Sequence, residues 1–334
     1  MAPSLPTAPL LSVTVLNYNY GHFLATCLNS ILKQTFTDFE LILINDKSTD
    51  NSLEVIKPYL ADPRVRLVDH GENQGFTRSL IEGAELSRGK YITVISADDW
   101  IVEMSAFEKQ IAVMEQDPAV AFVYSAYGNY HDPDSPQTHI WRSSARSYIQ
   151  DGREVFKRMI LQPYVLHSGT IIRASAYEAM GGYKRFLRYA VDVDMFLNLC
   201  HVGKAAYINE LLYAYRCHRT SMSKTISTLH CTIEEVLQIF QETFAKLPPE
   251  DRYGSRGLLR HAEQRALVAY SADEIFNSHY REGWRGFVVA VKMRPVQTIF
   301  QKMTLILMGR TLLGKQGYIA LERFIKIRRG NPLL

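Results

Sequence analysis

Apolar residues run almost unbroken through four short, β-branched stretches of the first hundred residues: LSVTVLN (11 to 17), FELILIN (39 to 45), RVRLVD (64 to 69) and KYITVIS (90 to 96). Runs of this kind, apolar on both alternating faces, are the pattern of strands buried on two sides. Between the first two, Phe23, Leu24, Cys27, Leu28, Ile31 and Leu32 recur at helical spacing, which predicts an amphipathic helix over 22–34. The next two helices are expected at Ser52–Leu60 and Phe76–Ser87. Strands alternating with helices predict an α/β fold in which a mostly parallel sheet is flanked by helices. After residue 100 the pattern predicts a helix over 102–116, a strand over 119–124, a polar loop over 131–137 and then mixed elements. From about residue 228 onward it reads mainly as helix, and the apolar run 300–308 is too short to cross a bilayer.

In such a sheet ligands sit beyond the carboxyl ends of the strands, so the polar residues that follow each strand carry the functional information. Asn17-Tyr18-Asn19-Tyr20-Gly21 follows the first strand, Asn45-Asp46-Lys47-Ser48-Thr49-Asp50 the second, and Ser96-Ala97-Asp98-Asp99 the fourth. Each cluster alone is ordinary turn and helix-cap chemistry. Their recurrence at successive strand ends, and the adjacency of two carboxylates in Asp98-Asp99, points to a ligand. Neighbouring carboxylates repel, and a hard divalent cation such as Mg²⁺ or Mn²⁺ compensates them while drawing its other ligands from phosphates and water.

Composition narrows this picture. The chain has 334 residues, 47% hydrophobic and 22% charged, enough for one large or two modest domains. The net charge of +4 is uneven: residues 292 to 334 hold nine Lys or Arg against the single acid Glu322. Such a tail suits an anionic membrane surface or a solvated helix face, and no nucleic-acid partner is expected. Four widely spaced cysteines without a C-x-x-C pair fit neither a disulfide scaffold nor a zinc ribbon. Met1–Thr7 is short and uncharged and does not read as a secretory signal, so a cytoplasmic enzyme is expected. The stretch after Leu16 holds only Gly21, which excludes a G-x-G-x-x-G dinucleotide site, and no phosphate-binding P-loop motif occurs.

SVTVLNYNYGHFLATCLNSILKQTFTDFELILINDKSTDNS resembles the opening of family 2 glycosyltransferases, with its strand, Tyr-Asn, helix ending near Gln-Thr and Asp-Asp-Gly-Ser-Thr-Asp turn. NQGFTRSLIEGAELSRGKYITVISADDW extends the resemblance with the Asn-x-Gly turn and a DXD-type region, and GGYKRF, VDVDMFLNL and YAYRCHRTSMS continue it to about residue 224. The resemblance implies a GT-A fold over residues 9–225, with a nucleotide-binding half (9–100) and an acceptor half (101–225), followed by a helical C-terminal segment (226–334). It implies an inverting transferase that moves one sugar from a nucleoside-diphosphate sugar, with UDP the expected nucleotide, to a saccharide or lipid-linked acceptor. The Gln-x-x-Arg-Trp motif of processive synthases is absent.

Carried over by position, Tyr18 lies against the nucleobase, Asp46 accepts a hydrogen bond from it and Asn19 supports the loop. Asp98 and Asp99 occupy the metal region, where the common first aspartate is Ser96 here, and the resemblance leaves open which of the two meets the ion. His218 matches a histidine that reaches the metal or the diphosphate, and Arg216 and Ser221 are candidates for phosphate oxygens. Asp192 matches the aspartate of the Glu-Asp pair, with Val191 in place of the glutamate, and is the expected general base. Displacement at the anomeric carbon needs a carboxylate opposite the leaving diphosphate to take the acceptor's proton. Ser96 and Val191 also admit a second reading, a non-catalytic sugar-nucleotide-binding or scaffolding protein on the same fold. Lys292–Arg329 is expected to offer peripheral contact with an anionic membrane.

Overall fold

The computed structural model describes residues 8–162, 165–218, 221, 228–254, 256–276 and 279–294. By its internal contacts the chain divides into two units, one of residues up to 159 together with 163–219, the other of 160–162 and 220 onward.

The first unit is built on one sheet. Its strands are β1 (Leu11–Asn17), β2 (Phe39–Asn45), β3 (Val65–Asp69), β4 (Tyr91–Ser96), β5 (Trp100–Ile101), β6 (Val120–Tyr130), β7 (His139–Trp141), β8 (Tyr148–Gln150), β9 (Ile171–Arg173) and β10 (Lys204–Arg216). They lie in the order β3-β2-β1-β4-β9-β6-β10-β5, with β7 on β6 and β8 on β10. Strands β3, β2, β1 and β4 are parallel, and β10 is parallel to β6. The three residues of β9 run antiparallel to both β4 and β6 and join the two halves. Six strands therefore point the same way, and Asn17, Asn45, Asp69, Ser96, Tyr130 and Arg216 end them at one edge.

Every residue of β1 and β2 is buried, as their unbroken apolar runs require. Helix α1 (Gly21–Leu32) turns Leu24, Cys27, Leu28 and Ile31 onto the sheet, each fully buried. Fully burying one such leucine contributes about 2 kcal/mol. Helices α2 (Ser52–Ile56), α3 (Phe76–Leu86), α4 (Ala106–Gln116), α5 (Gly152–Met159), α6 (Ala174–Met180) and α7 (Val191–Val202) complete the unit. A Cβ on Gly83 would stand 2.4 Å from the Thr14 methyl, so α3 needs glycine there to seat on β1.

Several expectations change: β3 is only partly buried, and the helix expected over Ser52–Leu60 is α-helical to Ile56 and continues as a 3-10 helix over Lys57–Ala61. The helix expected from residue 102 begins at Ala106, because Trp100–Ile101 instead pairs with β10 and the Val102 amide donates to the Leu212 carbonyl. Val102 and Met104 are exposed, so their apolar spacing reflects no buried helix face. The strand expected to end at residue 124 runs on to Tyr130.

The second unit contains helices Thr228–Ala245, Pro249–Gly254, Arg256–Phe276 and Tyr280–Met293. Gly283 and Gly286 let the last pack against Arg256–Phe276, since a Cβ on either would lie within 2.8 Å of Ser271 atoms. Trp284 and Phe287 pack with Ile275 there. Phe300, Phe324 and the basic segment beyond Arg294 fall outside the described residues. No helix among the described residues is long and apolar enough to cross a membrane.

Candidate active site

At the shared strand edge, polar side chains tie neighbouring strand ends together. The Asn17 amide donates to Asn45 Oδ1 (2.8 Å) and Ser48 Oγ (3.0 Å), and the Asn45 amide donates to Asp69 Oδ1 (2.7 Å). Asn19 closes the first loop onto the second: its backbone N–H donates to Ser48 Oγ, and its Oδ1 accepts from the Thr49 N–H at 2.7 Å. It does so from a left-handed backbone (φ 57°), a conformation asparagine tolerates. Tyr18 beside it is 48% exposed, an open aromatic face at the strand edge.

Lys47 adopts the same left-handed region (φ 59°). It stands where the family's Asp-Asp-Gly-Ser turn carries glycine, so its Cβ brings strain of about 1 kcal/mol. Lys47→Gly is therefore expected to stabilise the fold by about 0.5 kcal/mol, the strain relief less the extra chain entropy of glycine. Urea unfolding checks this, and a loss of stability would contradict it.

Asp46 is buried, and three donors already reach its carboxylate. Oδ1 accepts from the Gln74 N–H (2.7 Å) and faces His70 Nδ1 (2.7 Å), while Oδ2 accepts from the Gly75 N–H (2.8 Å). A carboxylate offers about four acceptor positions, so one remains for a ligand N–H.

Asp98 and Asp99, adjacent in sequence, diverge. Asp98 Oδ2 meets His218 Nε2 at 2.9 Å, with both side chains nearly buried. The His218 ring is held edge-on to Tyr20 and tilted against Phe23, both at the start of α1. Asp99 instead turns beneath the sheet edge, where Oδ1 accepts from the Arg216 N–H at 3.0 Å and Ser168 supplies a side-chain hydrogen bond. Burial, and then the Asp98 charge, push its carboxyl well above the usual range. Tyr127, partly buried nearby, is pushed up to about 12, chiefly by desolvation.

Arg216 is 2% exposed, and its guanidinium lies between the Phe23 and Trp100 rings, 4.3 and 4.6 Å from their centres. Nε donates to the Asp98 carbonyl (2.8 Å), and Nη1 donates to the His131 carbonyl and Asp132 Oδ1. These bonds tie Arg216 to the segments that carry Asp98 and His131. Ser221 is buried and groups with the second unit.

Asp192 stands at the head of α7, partly exposed, its Oδ1 accepting from the Val193 N–H at 2.8 Å. Burial holds its carboxyl above the usual range. Asp194 points elsewhere and pairs with Lys184 at 2.7 Å, with the carboxylate 2% exposed. Tyr183 and His167 lie between Asp192 and the Asp99 side of this network by interaction. Tyr183 feels the Asp192 charge and meets His167 Nε2 at 2.9 Å, and His167 precedes Ser168, which holds both Asp99 and the Ser96 N–H. Desolvation pushes the His167 imidazole down to about 4, so it is neutral at physiological pH. Sequence reading gave Phe23 only as part of a helix face and did not single out Trp100, His167, Ser168 or Tyr183, whose roles depend on contacts across the fold.

The profile of "Glycosyl transferase family 2" matches residues 12–181, half of the chain. The chain belongs to glycosyl transferase family 2. Among curated relatives, the hyaluronan synthase of Pasteurella multocida is 31% identical over 65% of the chain, and its chondroitin synthase is 31% identical over 64%. The chain spans only 21% of the length of either. Glycosyltransferase GlyG of Streptococcus pneumoniae is 27% identical over 70% of the chain and 79% of its own length. In structure, S. aureus TarS 1-349 in complex with UDP-GlcNAc aligns over 97% of this chain and 93% of its own (TM-score 0.65, 15% identity). Mannosyltransferase PcManGT from Pyrobaculum calidifontis, in complex with GDP-Man and Mn2+, aligns over 96% and 87% (TM-score 0.57, 15% identity). The fold is GT-A: a curled α/β sheet with helices that include C-terminal ones.

Among the described residues no group of three or more His, Cys, Asp or Glu side chains is placed to hold a metal ion. Asp98 and His218 nevertheless converge as one oxygen and one nitrogen donor at a strand-end edge. Two protein ligands suffice for Mg²⁺ or Mn²⁺ when a diphosphate and water supply the rest, so the residues present fit a substrate-shared ion.

Proposed function

We propose that the chain is an inverting, non-processive glycosyltransferase that moves one sugar from a UDP-sugar to a hydroxyl of a saccharide or lipid-linked acceptor. The observation that carries this is the contact of Asp98 with His218, where two motifs 120 residues apart meet beside the nucleotide-side loops. In this reading Asp98 and His218 hold Mg²⁺ or Mn²⁺, and Asp99 is a positioning residue behind them. A bound ion there would offset the negative charge that builds on the departing diphosphate. Tyr18 stacks on the base, the remaining acceptor position of Asp46 takes a base N–H, and Asn19 keeps the two loops in register. Asp192 accepts the proton of the acceptor hydroxyl as its oxygen attacks the anomeric carbon opposite the diphosphate, and the configuration there inverts. Two structural neighbours are complexes, one with UDP-GlcNAc and one with GDP-Man and Mn2+, and two relatives are hyaluronan and chondroitin synthases, which supports a sugar-nucleotide donor and a saccharide acceptor. The non-catalytic alternative rests on Ser96 and Val191. Against it, the polar network at the strand edge is intact, and Ser96 is engaged through its backbone by Ser168.

A panel of UDP-sugars with Mn²⁺ and oligosaccharide acceptors tests this directly. The expected result is UDP release that depends on the metal, with a β-linked product from an α-linked donor in the NMR spectrum. Binding of UDP without turnover of any donor would favour the non-catalytic reading.

A further inference from the structure

His70 follows β3 and is 8% exposed, lying between two carboxylates from different elements. Its backbone N–H donates to the Asn45 carbonyl at 2.9 Å, continuing the ladder between β2 and β3 and fixing where the ring projects. Nδ1 lies 2.7 Å from Asp46 Oδ1 in the loop after β2, and Nε2 lies 2.9 Å from Glu82 Oε2 on α3. These two are the charged groups that face the ring. Asp69, its chain neighbour, accepts instead from Asn45.

We propose that His70 is a positioning residue that clamps Asp46 in its nucleotide-binding orientation, so that affinity for the donor nucleotide falls as His70 loses its proton. This rests on the reading of Asp46 as a base-contacting group. Only the imidazolium has N–H groups on both nitrogens, so only it donates to Asp46 and Glu82 together. Neutral imidazole has one N–H and presents a bare nitrogen lone pair to the other carboxylate, which opens the clamp. Burial opposes the charge on His70, but the bonds from Asp46 and Glu82 outweigh it and raise its pKa, keeping the imidazolium to higher pH than a free histidine. The same Asp46 carboxylate holds the Gln74 and Gly75 N–H groups at the entry to α3, so the clamp also sets the turn beside the base site. Glu82 lies far enough out, with a side chain 28% exposed, to be varied without opening the core.

The test is UDP binding to the full chain with Mg²⁺, by calorimetry, from about pH 6 to about pH 8.5. The wild-type dissociation constant is expected to rise about tenfold with pH, the effect of losing one charge-assisted bond on a binding group. His70→Asn places an amide N–H where Nδ1 stood but cannot titrate, and its profile is expected to be flat in comparison. Glu82→Gln still accepts from Nε2 but removes a charge that favours the imidazolium, and it is expected to move the wild-type transition about one pH unit lower. Ionisation of UDP and of the metal site is common to all three proteins and cancels in the comparison. Identical profiles for wild type, H70N and E82Q would overturn the clamp. Asp46→Asn separates the two layers: if it binds UDP as the wild type does, the base-contact reading fails and the clamp proposal falls with it. If D46N loses affinity while the three profiles coincide, only the clamp is wrong.

Discussion

Asp192→Asn is expected to lower kcat for sugar transfer about a thousandfold, the usual scale for loss of a positioned general base. The affinity for UDP should stay within about twofold, because the amide removes a proton acceptor and leaves the donor-side loops alone. The two readouts together identify the role: a structural aspartate would lower affinity and stability along with rate. Burial raises the Asp192 carboxyl, which adds a pH signature. A general base at Asp192 would be active when ionised, so kcat/KM is expected to fall as pH drops through its pKa, above the value near 4 of an ordinary aspartate. That acid limb is expected to disappear from the residual activity of the Asn variant. Asp194→Asn supplies the contrast, since its carboxylate is committed to Lys184 and its loss is expected to appear first as lower stability.

The second large effect is expected at Asp98. Asp98→Ala removes the oxygen that meets His218 and is expected to reduce kcat/KM for the donor by about a hundredfold or more, with Mn²⁺ no longer stimulating the remainder. Asp99→Asn should act differently. Its carboxylate is turned toward Arg216 and Ser168, so the variant is expected to unfold at lower temperature while its activity keeps its dependence on Mn²⁺. Initial rates across a Mn²⁺ titration for both variants distinguish these outcomes.

The division of labour between two adjacent aspartates illustrates what was legible in the chain and what was not. The strand before them was plain, as were its neighbours, because β1, β2 and β4 are buried on both faces and their apolar runs have no competing explanation. The loops at their ends were legible for the same reason: a parallel sheet delivers polar strand-end residues to one edge. Which carboxylate faces the edge depends on partners far away in sequence, Ser168, Arg216 and His218, and no local pattern encodes that. Arg216 shows the same limit. Its sequence context gave no sign of the two aromatic rings, brought from α1 and β5, that enclose it. The three-residue β9 was too short to leave a periodic signal, although it joins the two halves of the sheet. His70 had no motif of its own, and its meaning comes from Asp46 and Glu82 closing on it from two other elements.

Thermal unfolding of the intact chain with UDP and with GDP, each with and without Mn²⁺, tests the central claim most directly. A metal-assisted sugar-nucleotide site built on Asp98 and His218 predicts that UDP raises the melting temperature only when Mn²⁺ is present, and that the rise is lost in Asp98→Ala. Equal stabilisation without metal, or none from either nucleotide, would contradict it.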